Sequence, residues 1–109
     1  MEIVALEGMD LVSLEWNETS FDLKAMDTSG VLFQAFLSNP EQTPIGVVVH
    51  WANLRLIHDN ERDIFTLGEI ETITVDADVV HIEADAGYFS VRASKLFLQR
   101  LASLTGSDI

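Results

Sequence analysis

Carboxylates crowd the second half of this chain, and they are the residues in it best suited to chemistry. Glu69, Glu71, Glu83 and Asp85 fall on neighbouring segments of alternating hydrophobicity. Crowded on one surface, such groups could hold a hard cation or share a proton. The plainer reading is a wet outer face, because carboxylates stay exposed unless paired. Asp59-Asn60-Glu61-Arg62-Asp63 also spaces its acids as calcium loops do. The position that needs glycine is Ile64, however, and the position of the bidentate acid is Ile70. A solvated hairpin loop fits better. His50, His58 and His81 sit on separate segments, whereas zinc wants three or four converging ligands. They read as isolated, half-buried histidines, and no metal or cofactor is expected. There is no cysteine, no nucleophile elbow, no glycine-rich phosphate loop and no zinc-protease helix motif. The expectation is a protein that is not an enzyme.

The large aromatics offer a different chemistry, that of contact. Phe33 and Phe36 have opposite parity on one segment, as do Tyr88 and Phe89, so regular alternation cannot turn all four inward. One of each pair is expected outside, and exposed aromatics mark interfaces. Phe36, Tyr88 and Trp51, together with Glu69, Glu71, Glu83 and Asp85, are therefore the candidate binding residues.

These side chains must be placed by strands. Phe21 to Met26 alternates cleanly, with Phe21, Leu23 and Ala25 on one face, and Asp27-Thr28-Ser29-Gly30 is a turn. Residues 2–17 read as one or two strands broken near Gly8. Val31–Leu37 is a strand, and SNPEQTP, with both prolines, is a loop. Ile45–His58 is too long for an undisturbed strand, since its fourteen residues would span roughly 46 Å at about 3.3 Å each. A bulge or bend is expected near Ala52-Asn53, dividing it into Val47–Trp51 and Leu54–Ile57. Strands follow at Ile64–Leu67, Ile70–Val75, Val79–Ala84 and Tyr88–Arg92. Pairing Val75 with Val79 would set Glu71 against Glu83 and Glu69 against Asp85. Pairing Val75 with Val80 and Ile73 with Ile82 separates those acids and is the expected register.

From Ser94 to Leu104 the period changes to three or four, with Phe97, Leu98, Leu101 and Leu104 on one arc. Ser94 reads as the N-cap and Gly106 as the C-terminal cap of an amphipathic helix. Leu96 falls on its polar side. The fold class expected is mainly β (α+β): an antiparallel, strongly bent sheet or small barrel of about seven strands with one C-terminal helix. Residues 1–109 form a single domain in this reading, since nothing interrupts the series of strands.

LGEIETITVDADVVHIEADAGYFSVRASKLFLQRL resembles the second half of bacterial pleckstrin-homology-like and GRAM-like domains, over residues 63–104. That resemblance implies a bent barrel plugged by its terminal helix. Members that bind phosphoinositides use basic residues in the first hairpin loop, where WNETSFDLK here offers one lysine among acids.

Charge narrows the partners. The chain carries 18 acidic against 6 basic residues, net −12. Residues 1–54 contribute −7, residues 55–91 another −7, and the segment from Arg92 onward +2. Such a surface repels nucleic acid and anionic lipid, whose binding depends on Lys and Arg. No apolar run reaches the roughly 18 residues of a membrane span, and the acidic MEIVALEGMD lacks a signal peptide's basic start. A cytoplasmic location is expected. The function expected is an acidic, non-catalytic interaction module that binds a basic protein, as an inhibitor or immunity-type protein would, or self-associates. The alternative is a β domain enclosing a small apolar ligand or lipid, suggested by 48% hydrophobic residues in so short a chain.

Overall fold

The computed structural model describes residues 1–41 and 43–103. Its first element is a 3-10 turn, Ile3–Leu6, where a strand is expected. Ile3 and Leu6 are three residues apart and both buried, so one turn of this helix seats both on the core. Strands β1 (Asp10–Trp16), β2 (Ser20–Met26) and β3 (Val31–Ser38) then form consecutive antiparallel hairpins. Their inward residues include Leu11 and Leu14, then Phe21, Leu23 and Ala25, then Phe33, Ala35 and Leu37. At the β2–β3 turn, Asp27 accepts hydrogen bonds from the backbone N–H groups of Ser29 and Val31, both 2.9 Å.

After the loop come β4 (Gly46–Ala52), β5 (Ile57–Asp59), β6 (Ile64–Thr66), β7 (Ile70–Asp76), β8 (Val79–Ala84) and β9 (Gly87–Arg92). The break after Ala52 lies where a bend is expected. The second piece, however, begins at Ile57 rather than Leu54, and the bulge sits at His50, between Val49 and Trp51. β7 pairs with β8 in the register that sets Ile73 opposite Ile82 and Val75 opposite Val80, and a shift between Ile70 and Thr72 leaves Glu71 without an opposing partner.

The C-terminal helix expected over Ser94–Leu104 is not there: Lys95–Ser103 is strand β10, paired antiparallel with β3. Leu104 and Gly106 lie outside the described residues. The local pattern suits a helix, but the long apolar β3 has a free edge whose backbone groups need partners. β10 supplies them from Lys95 opposite Ser38 to Ser103 opposite Val31. A register shift between Arg100 and Ala102 absorbs the three-residue step that imitates a helical period.

The expected barrel is corrected as well. Among the described residues there are ten strands in three antiparallel sheets, ordered β1-β2-β3-β10, β4-β9-β8-β7 and β5-β6, with no closed barrel and no α-helix. The two four-stranded sheets share one core. Phe21 of the first meets Phe89 of the second with ring centroids 6.0 Å apart, and Trp16 lies 5.4 Å from Phe89. Ile70, Ile73, Val80, Ile82, Ala84 and Val91 complete the second sheet's inner face. At one corner the sheets are stitched together by backbone bonds: Leu11 N–H to the Gly68 carbonyl and Leu67 N–H to the Leu11 carbonyl, both 2.7 Å.

The β5–β6 hairpin is held to this body by Arg62. Its guanidinium donates to Asp59 (2.9 Å from Nε), to the Asp27 carbonyl (2.9 Å) and to the Asp10 carboxylate. Asp59 thus turns inward to an arginine rather than outward to a cation. That bond is the main reason its carboxyl lies below the ordinary carboxylate range.

Candidate functional site

On β9, Phe89 and Val91 point into the core, which leaves Tyr88 and Ser90 on the outer face. Cross-strand register aligns two rows there. One runs Trp51, Tyr88, Glu83, Thr72, and the other Val48, Ser90, His81, Thr74. Neither row contains Lys or Arg. The bulge at His50 pushes its imidazole over the first row, where it stacks on Tyr88 at 4.1 Å and 26°.

Ser90 ties the surface together from below. Its hydroxyl is 2.7 Å from His50 Nε2 and 2.8 Å from His81 Nδ1, and the residue is only 9% exposed. A hydroxyl has one hydrogen, so between two neutral rings it donates to one and accepts from the other. The serine therefore orients both imidazoles. Sunk beneath them and committed twice, it is not presented as a nucleophile. Among the described residues no three of His, Asp and Glu converge as a metal site would require. The histidines, read from the sequence as isolated, include this linked pair. His58 is separate, bonded to Asn60 and Asp63 and tilted against Phe65.

The expected site residues are thus divided. Trp51, Tyr88 and Glu83 share one row. Glu71 sits in the β7 bulge, exposed beside it. Glu69 and Asp85 lie at the corner where β7 begins: Asp85 accepts the Glu69 N–H at 2.8 Å, the Asp85 N–H donates to the Glu69 carbonyl at 3.0 Å, and the Glu69 side chain is exposed. Asp85 also packs over Gly68, whose φ of +93° leaves no room for a side chain, since an added Cβ would lie 2.6 Å from the Asp85 Cβ. Phe36 is on the other sheet, opposite Asp22 and Phe97, at a hollow of about 180 Å³ lined also by Trp16 and Ser20.

Beyond the aromatic row lies an edge. β4 is the terminal strand of its sheet, and the sequence Gly46–Ala52 has no charged residue. Its side chains are poorly covered, with Val48 55% and Trp51 51% exposed. Leu54, Leu56 and Ile57 add exposed apolar surface, with Asn53 and Arg55 between them, and Phe65 on β6 is 61% exposed. Phe65, and Phe97 on β10, were not among the expected contact residues. Phe97 lies on the apolar arc of the expected helix, and Phe65 lacks an opposite-parity aromatic neighbour to force it outward.

Two other edges are guarded. On β10 stand Lys95 and Arg100 beside a bulge. The β7 edge bears Glu71 in its bulge, and the Glu7 carboxylate accepts its Ile73 N–H at 2.7 Å. Such charges and bulges are how sheet edges avoid unwanted pairing. β4 has a bulge alone.

No helix among the described residues is long and apolar enough to cross a membrane. No protein-family model matches the chain, and no curated protein or solved structure matches it either.

Proposed function

We propose that this chain is a non-catalytic protein-interaction module of the cytoplasm, which binds a basic protein through the outer face and free edge at β4. An inhibitor or immunity-type role belongs to this reading. The observation that carries it is the uncharged, exposed strand Gly46–Ala52 beside the Trp51–Tyr88–Glu83 row, on a molecule of net −12. Large exposed apolar patches are uncommon on monomers and mark contact surfaces. The surrounding acids favour encounter with a basic partner and repel nucleic acid and anionic membranes. Native mass spectrometry of the protein isolated from its host is expected to find it bound stoichiometrically to a basic polypeptide. Recovery of the monomer alone, before and after cross-linking, overturns this reading.

A groove supports a second reading, the binding of a small apolar ligand or lipid. Met1, Glu2, Ile3, Val4, Val75 and Leu96 line a space of about 510 Å³, within the range of ligand sites. Co-purified lipid in an organic extract, lost on Val75→Glu, would favour it over the first.

A further inference from the structure

We infer that β4 is a site of strand addition, and that its occupant is an extended segment of a partner protein carrying arginine or lysine at alternate positions. This rests on the basic-partner reading above and specifies how that partner is held. β4 is the terminal strand of its sheet, seven residues and roughly 23 Å long, interrupted by the bulge at His50. An edge strand pairs readily with an incoming chain unless charge, proline, a bulge or cover prevents it; β4 carries neither Asp, Glu, Lys, Arg nor Pro, and its bulge at His50 leaves Gly46–Val49 as the regular stretch. Main-chain hydrogen bonds give such a contact its affinity, and alternate side chains give it selectivity.

Here the selectivity is cationic. An added strand lies one spacing, about 4.8 Å, beyond β4, so its outward side chains land beside Val48 and Trp51. A long cationic side chain can lie across the exposed Trp51, beside Tyr88, one face of which is taken by His50. Cations are attracted to the faces of Trp and Tyr. Glu83, next in the row, adds negative potential behind the rings; neither row holds Lys or Arg, and Arg92, in the next row on the same face, is paired with Asp78. A second copy of this chain fits less well, because it would bring net −12 against net −12.

The probes are short fluorescent peptides alternating valine with arginine, followed by polarisation and by hydrogen exchange of the intact protein. The arginine peptide is expected to bind and to slow exchange across Gly46–Ala52. Two forms N-methylated on alternate residues separate the edges: one should bind at least about tenfold more weakly, the other nearly as the parent does. Replacing arginine by neutral citrulline should weaken binding several-fold, and that preference should shrink in Trp51→Leu and in Glu83→Gln. Both positions are exposed, so the variants should fold. Equal binding by both N-methylated forms overturns strand addition while leaving an acidic docking surface. Failure of the arginine peptide to bind, while native mass spectrometry still finds a basic partner, overturns this inference alone. Dimerisation of the free chain that Val48→Lys abolishes would assign the edge to a second copy and overturn it too.

Discussion

Asp59 and Arg62 show how a motif of chemical promise becomes a structural clamp. Arg62 bonds Asp59, Asp10 and the Asp27 carbonyl at once, which lowers the Asp59 pKa and raises that of Arg62, in each case chiefly through their shared hydrogen bond. A carboxyl whose pKa is depressed by folding stabilises the fold above its unfolded pKa of about 4, and that contribution is lost as pH falls through the lowered value. The difference in melting temperature between wild type and Asp59→Asn should therefore be constant above about pH 5 and shrink as the pH falls below the ordinary carboxylate range. Ser90 acts in the same local way. Ser90→Ala removes the hydroxyl between His50 and His81, and denaturant unfolding should record a loss of about 1 kcal/mol. At Gly68, alanine would combine an unfavourable positive φ with a clash against Asp85, costing about 1–3 kcal/mol by the same measurement. Ala77, with φ of +53° in the β7–β8 turn, is the converse case: Ala77→Gly should stabilise by up to about 1 kcal/mol.

The terminal strand is where local pattern and tertiary demand disagree. Phe97, Leu98 and Leu101 satisfy a helical arc, yet the segment pairs with β3 along its whole length. Isolated helices of this size are marginal in water, so the local preference is weak. The free edge of β3 is a strong demand by comparison, because every unpaired backbone group there forgoes a hydrogen bond. Truncation before Lys95 should expose that edge and turn the protein from monodisperse to aggregating in light scattering, whereas loss of a solvent-facing helix would leave it soluble. β4 shows the opposite situation, an edge left open. Its bend was legible because fourteen extended residues exceed the size of so small a body. The position of its bulge was not, because that depends on pairing with β9, almost forty residues further on.

At the scale of the whole molecule, two apolar sheet faces meet around Phe21 and Phe89, and most of the acids are left facing water. Phe89→Ala should cost about 3–5 kcal/mol, since both fit and burial are lost at the centre of the core. With net −12 spread over a small body, self-repulsion opposes compactness and salt screens it. Melting temperature should rise between low and moderate ionic strength; a flat response would mean the acids are already neutralised. By itself the amino-acid order determined the charge, the β character of residues 20–92 and the β7–β8 register. Alternation and tight turns act between near neighbours, and Asp76 to Val79 is a short enough link to carry register from one strand to the next. The pairing of His81 with Ser90 follows from a tighter turn, with Ala84 opposite Gly87, and is a finding of the structure. Only the tertiary structure decided that His50 closes on that serine, that Lys95–Ser103 extends beside β3, and that β4 stays open. Each of these depends on strands far apart in the chain finding one another's edges, and hydrophobic period records which face a side chain takes but not which strand lies alongside.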